Sequence, residues 1–155
     1  MRIKPLALSL LLIVLSVNCA APTAWAQSSS ADARPVNDVL YQSLGGQSGL
    51  NRLIDDFMLR LLADPRMNPF FKDVDQAHVK AQLVAQFCEV TGGPCKLKGP
   101  DMKKVHSGFD INKANFNALV EVLQQSMDAQ GIAFSAQNRL LAQLAPMHRD
   151  IINVN

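Results

Sequence analysis

Apolar residues recur at intervals of three and four along four long stretches of the chain, as they do on one face of an amphipathic helix. The stretches are 48–63, 75–90, 112–130 and 135–152, and none of them shows the sustained alternation that is typical of a strand. Glycine and proline pairs such as Gly45-Gly46 separate the stretches. The pattern predicts an all-α domain.

Polar residues at the boundaries predict where two of these helices begin. Ser48 and Asp75 suit the N-cap positions of the first and second helices, because their side-chain oxygens can accept hydrogen bonds from the free N–H groups of a first turn. Between the second and third helices, a short segment holds His106. A simple four-helix bundle requires no such segment.

The first 26 residues predict a secretory signal peptide. A basic start at Arg2 and Lys4 leads into the apolar stretch 6–17, and Ala24-Trp25-Ala26 follows with the small-x-small pattern of a cleavage site. We therefore expect cleavage near Ala26 and an exported, periplasmic protein without a stable membrane span.

Two alternatives to a cleaved and released protein stay open. An uncleaved membrane anchor is one, although an apolar stretch of about a dozen residues is short against the roughly 20 that cross a bilayer. A lipoprotein processed at Cys19 is the other, although Asn18 is not the small residue expected before a lipidated cysteine.

The rest of the chain predicts a leader and one domain. Residues 27–39 are polar and small, which is typical of a flexible segment, and residues 40–155 are enough for a single domain with its own core. Signal cleavage leaves Cys88 and Cys95 of the three cysteines. Either a disulfide or two free thiols is compatible with their spacing, and export favours the disulfide.

Charge and motifs exclude several classes of function. The net charge is +2 and no basic stripe is present, so a nucleic-acid partner has no electrostatic basis. The sequence has no nucleophile elbow, no phosphate-binding glycine loop and no His-Glu-x-x-His zinc motif. It also lacks the Cys-x-x-Cys-His sequence that attaches haem covalently.

One histidine lies in a context that suits a metal ligand. His106 comes after Met102-Lys-Lys-Val and precedes an apolar helix. Neutral imidazole is the usual axial ligand of haem iron, which is otherwise held by an apolar shell. An isolated histidine near a helix end is more often a surface or capping residue, so its surroundings decide between the two interpretations.

Several motifs together resemble the group I truncated haemoglobins, over roughly residues 39 to 152. The matching motifs, in order, are Leu40-Tyr41-Gln-Ser-Leu44-Gly45-Gly46, Asp56-Phe57, Leu62-Ala63-Asp64, Phe70-Phe71, Gly92-Gly93-Pro94, Met102-Lys-Lys-Val-His106, and Ile111 with Phe116. The resemblance implies a shortened globin fold, a two-over-two sandwich of helices around haem b.

The resemblance also implies which residues hold the cofactor. His106 matches the proximal ligand of the iron, and Phe71 matches the phenylalanine that packs on the haem face. The other expected haem contacts are apolar side chains at Phe57, Met58, Val79, Leu83, Phe87, Met102, Ile111, Phe116 and Leu119.

The distal side departs from the family pattern. Family members commonly place a tyrosine and a glutamine where this chain has Met58 and Leu83, and Val79 beside them is also apolar. We therefore expect an apolar distal pocket that holds oxygen loosely and accepts carbon monoxide and nitric oxide. Gln86, or less favourably Gln82, is a possible substitute donor.

Two further histidines are weaker candidates for contact with the cofactor. A second axial ligand at His78 requires rotation of its helix, because ideal helical spacing points it outward. His148 is expected at the surface.

The resemblance predicts a haem globin whose partner is a diatomic gas: oxygen, carbon monoxide or nitric oxide. One alternative is a haem enzyme for nitric oxide or peroxide turnover, which the apolar distal residues disfavour. Another is a haem-free helical adaptor, since a fold alone does not fix function. The sequence does not indicate an electron donor.

Overall fold

The computed structural model describes residues 38–154, and all of its regular structure is helical. The predicted signal peptide and all but the end of the predicted leader lie outside these residues. The helices are α1 Val39–Ser43, α2 Gly46–Ala63, α3 Asn68–Phe71, α4 Gln76–Val90, α5 Met102–His106, α6 Lys113–Ala129, α7 Phe134–Leu144 and α8 His148–Ile151, with a 3₁₀ turn at Ala145–Met147 between the last two.

The four long helices form two packed layers, which confirms the predicted two-over-two sandwich. Helix α2 packs against α4 and α6, and α7 also packs against both of them. The apolar faces read from the sequence meet in one core, whose most deeply buried large side chains are Leu50, Leu53, Ile54, Phe57, Leu61, Met67, Met127 and Leu140. Burial of such faces is the main stabilising term of the fold.

The second and third long helices begin where the sequence predicts. The Asp75 carboxylate accepts a hydrogen bond from the His78 amide at 3.0 Å and caps α4. Asn112 and Asn115 form a reciprocal capping box at the start of α6. Each cap satisfies an N–H group that has no partner within the helix.

The predicted cap at Ser48 is wrong. Helix α2 begins two residues earlier, after Gly45, which has a φ of +83° that favours glycine. Ser48 instead lies inside the first turn, where its hydroxyl accepts a hydrogen bond from Arg52 at 2.9 Å. A Cβ added at Gly49 would overlap the Leu44 carbonyl, so the backbone approaches too closely for a larger residue.

The predicted fourth helix, 135–152, is also wrong in its extent. It ends at Leu144, and a 3₁₀ turn containing Pro146 leads into the separate helix α8. Proline has no N–H and its ring clashes with the preceding turn, so an α-helix rarely passes through it unbroken. The break lets α8 pack against α5, the helix that holds His106.

A disulfide joins Cys88 at the end of α4 to Cys95 in the following loop. Gly93 allows the loop to pass closely, since an added Cβ would lie 2.6 Å from the Cys88 sulfur. Glu89 holds the loop further along by accepting hydrogen bonds from the Leu97 amide and from Lys96. These bonds, the amide first, hold the pKa of the Glu89 carboxyl below its ordinary value.

Loss of this disulfide should lower the stability of the fold without disturbing the core. Cys95→Ser keeps the buried Cys88 thiol in place, and the chain-entropy estimate for so short a loop is about 2.5 kcal/mol. Urea unfolding with and without dithiothreitol measures the effect. The parent should be sensitive to the reductant and the variant insensitive; equal sensitivity of both would contradict a stabilising bridge.

Within residues 38–154, no helix is both long enough and apolar enough to cross a membrane.

Candidate functional site

The short helix α5 presents the histidine that the sequence singles out. Asp101 caps this helix by accepting a hydrogen bond from the Lys104 amide at 2.7 Å, and His106 is its last residue. The imidazole Nδ1 of His106 lies 2.8 Å from the Met102 carbonyl oxygen, so the tautomer with the proton on Nδ1 donates to it. This leaves the lone pair on Nε2 available, the arrangement that orients a histidine as a metal ligand.

The inner face of α4 lies across from this helix. The Gln86 amide nitrogen is 3.9 Å from the Met102 sulfur and 3.0 Å from the Met147 sulfur. Leu83 lies one turn before Gln86 on α4, and Met102 lies one turn before His106 on α5. Gln86 therefore approaches α5 at Met102, one turn from Leu83 on its own helix and one turn from His106 on the other.

Apolar side chains expected around this site are only half-buried. In the core the large apolar residues are almost fully buried, whereas the predicted site residues Phe71, Val79, Leu83, Met102, Ile111, Phe116 and Leu119 all keep intermediate exposure. Exposed apolar area costs roughly 25 cal/mol per Å². A flat apolar ligand that covered these side chains would recover that free energy.

The remaining predicted contacts are more deeply buried. Phe57 and Phe87 belong to the core cluster. Met58 is also buried, at 3% exposure, but it is not a member of that cluster. Met58 therefore lies buried on α2, the helix where the family pattern expects the distal donor.

The other two histidines are on different helices, and both are exposed to solvent. His78 is exposed in the first turn of α4. His148 is exposed, as expected, and its ring centroid lies 6.3 Å from that of Phe116. Lys98, Lys103 and Lys104 are also exposed.

An ion-pair network lies where α2 ends. Arg66 donates to Asp64 and to Glu121, each at 2.7 Å, and links the end of α2 to α6. Its hydrogen bonds hold the pKa of the Asp64 carboxyl below the ordinary value.

One hydrogen bond to His106 could not be predicted from the sequence. Asn153, beyond the last helix, donates from its side-chain amide to the His106 carbonyl oxygen at 2.8 Å. The two residues are 47 positions apart, and no motif or periodicity links them.

Comparison with known proteins agrees with this geometry. The family model described as "Bacterial-like globin" matches residues 39–153. The chain belongs to the bacterial-like globin family. Because globins bind haem, the alternative of a haem-free helical adaptor loses its support.

The relatives narrow the class to the group 1 truncated haemoglobins. The chain is 32% identical to the "Group 1 truncated hemoglobin GlbN" of Synechocystis sp. over 124 residues, covering 74% of this chain and 97% of that protein. It is 29% identical to the protein of that name from Mycolicibacterium paratuberculosis, covering 72% and 82%. The truncated hemoglobin of Tetrahymena pyriformis, solved in its Fe(III) form, matches with a TM-score of 0.71 at 26% identity, over 74% of this chain and 97% of that one.

The cofactor of this globin is haem b, and the residues present fit it. The fit rests on a half-buried imidazole whose Nδ1 is engaged and on the half-buried state of most of the apolar side chains expected to contact haem. A single neutral nitrogen ligand in an apolar cleft is what haem iron requires of a globin.

Proposed function

We propose that this globin reversibly binds a diatomic gas at haem held between α4 and α5, with His106 as the one protein ligand of the iron. The observation that supports this most directly is the 2.8 Å contact between His106 Nδ1 and the Met102 carbonyl. It fixes the ring and leaves Nε2 free for the metal. When bound, haem supplies the iron to which the gas attaches.

The apolar residues of the cleft hold the cofactor and exclude water. The proposed contacts are Phe57, Met58, Phe71, Val79, Leu83, Phe87, Met102, Ile111, Phe116 and Leu119. The half-buried members of this set add to the hold of the single ligand, since covering their remaining apolar area contributes roughly 25 cal/mol per Å².

We further propose that the distal side of the pocket gives the gas no strong hydrogen bond. Met58, Leu83 and Val79 have no donor group. Gln86 does have one, but its amide is directed at the sulfurs of Met102 and Met147, which are weak acceptors. Carbon monoxide would lose little by this because it is a weak hydrogen-bond acceptor, whereas oxygen would lack the donor that holds it in a polar pocket.

The relative release rates of the two gases test this proposal. Stopped-flow displacement measures the dissociation of oxygen and of carbon monoxide from the reduced protein. Oxygen should leave fast, with a large preference for carbon monoxide at equilibrium. Slow oxygen release would contradict an apolar distal side and would indicate that Gln86 or Gln82 turns toward the ligand.

We also propose that the protein is exported to the periplasm after removal of residues 1–26. Support comes from the signal-like pattern of those residues and from the disulfide, since disulfides persist in oxidising compartments. N-terminal sequencing of the protein from a Gram-negative host tests this. A mature chain starting near Gln27 is expected, and an intact chain starting at Met1 in the cytosol would contradict export.

A further inference from the structure

The end of the chain is bonded to both ends of the loop that follows His106. The Asn153 side-chain amide donates to the His106 carbonyl at 2.8 Å, at the start of the loop. At its far end, the Ile111 carbonyl accepts hydrogen bonds from the backbone amides of Asn153, at 2.9 Å, and Val154, at 3.2 Å. These three bonds tie residues 153 and 154 to both ends of the loop that follows α5.

The segment they hold has little internal support. Helix α5 is five residues long, well short of the length at which a helix is stable by itself. The loop after it contains two positive φ angles, +87° at Gly108 and +51° at Asp110, a region that few residues other than glycine adopt. The geometry of α5 therefore depends on contacts from elsewhere in the chain.

The last carbonyls of a helix have no partner within it. For His106 the amide of Phe109 is one donor, at a long 3.4 Å, and Asn153 is the closer one. Helix α8 packs against α5 and brings Asn153 into range. The exposed side chain of Asn153, which is not among the residues proposed to contact haem, thus helps to fix the position of the His106 backbone.

We propose that Asn153 is a positioning residue for the haem ligand, and that residues 148–154 form a clamp, called here the C-terminal clamp, which sets the direction of His106 Nε2. This rests on the proposed role of His106 as the iron ligand. The ring is already fixed to the Met102 carbonyl, so it moves with the backbone of α5. Release of the His106 carbonyl lets the end of α5 shift and tilts the imidazole with it.

The test uses the full mature protein, loaded with haem, and two variants that remove the donor. Asn153→Asp keeps the size and shape of the side chain but has no N–H to give, and Asn153→Ala removes the group entirely. Asn138→Ala, at an exposed position of α7, is the matched control. Resonance Raman spectroscopy of the reduced protein measures the iron–imidazole stretching band, and transfer to excess apomyoglobin measures the rate of haem loss.

Both Asn153 variants should shift or broaden the iron–imidazole band and release haem about two- to tenfold faster, as expected for loss of one hydrogen bond. The control should match the parent. If the iron–imidazole band and the rate of haem loss in both Asn153 variants equal those of the parent, the proposal is overturned. A lower thermal midpoint without these changes would mean that Asn153 only stabilises the end of the helix.

The same experiment separates this inference from the proposed function. If the parent takes up haem and shows the iron–imidazole band but the variants match it, the clamp is overturned and His106 remains the ligand. If the parent takes up no haem, the proposed function and the clamp are overturned together.

Discussion

Replacing His106 by alanine should abolish stable, stoichiometric haem uptake while most of the helix content remains. His106 is the last residue of α5 and makes its side-chain hydrogen bond within that short helix, so the main core does not depend on it. The half-buried apolar side chains can still attract haem, but without an axial nitrogen the iron has no protein partner on that side. Haemin titration followed at the Soret band measures uptake, and far-ultraviolet circular dichroism measures helix.

His78→Ala is the matched control for this substitution. His78 is exposed on α4 and its backbone, not its ring, bonds to Asp75, so its removal should leave the spectrum unchanged. Stoichiometric haem with an unaltered spectrum in the His106 variant would show that another group ligates the iron. Loss of the parent spectrum in the His78 variant would point to that second histidine.

Replacing Met58 by tyrosine should slow oxygen release by about ten- to a hundredfold. A hydrogen bond to a partly charged acceptor is worth roughly 1.5 to 3 kcal/mol, and each 1.4 kcal/mol is a factor of ten in a dissociation constant. Met58 is buried on α2 at the position where the resemblance places the distal donor, so we expect the tyrosine hydroxyl to face the bound gas. Stopped-flow displacement of oxygen gives the rate.

Met58→Phe controls for the added ring, because it supplies the bulk of tyrosine without the hydroxyl. The phenylalanine variant should release oxygen at a rate near that of the parent, and carbon monoxide release should change little in either variant. Equal oxygen release from the tyrosine and phenylalanine variants would mean that position 58 does not face the gas.

The helical architecture could be predicted from the sequence because it depends on local chemistry. The periodic apolar faces predicted the four long helices. The side chains of Asp75 and Asn112 accept hydrogen bonds from amides three residues further along the chain, and a cap of this kind involves only neighbouring residues of the sequence. The sequence also predicted a short segment holding His106 between two strongly periodic stretches, but not that residues 102–106 of it form a helix.

The errors at Ser48 and after Leu144 have a common origin. At both places a glycine or a proline determines where the helix begins or ends. Helix α2 begins after Gly45, before the serine that could have capped it, and the turn containing Pro146 interrupts a helix that the apolar pattern would continue. Periodicity describes which face is buried, but it does not show where the chain changes direction along that face.

The residues of the haem site stay a prediction from the resemblance, and the contacts that the structure shows near them could not be predicted from the sequence. Resemblance to the family supplied His106 and the apolar cleft, whereas the direction of the Gln86 amide depends on Met147, which lies 61 positions away. The bond from Asn153 to His106 likewise appears only when α8 has packed against α5. Contacts of this kind depend on the assembled fold and leave no local pattern.

The most direct test of the account is the visible spectrum of the mature protein with haem, recorded oxidised, reduced, and reduced under carbon monoxide. A haem held by His106 with the other side of the iron open to gas should give a five-coordinate reduced spectrum that shifts fully on addition of carbon monoxide. A six-coordinate reduced spectrum that resists carbon monoxide would contradict the account, because it would place a second protein ligand in the pocket.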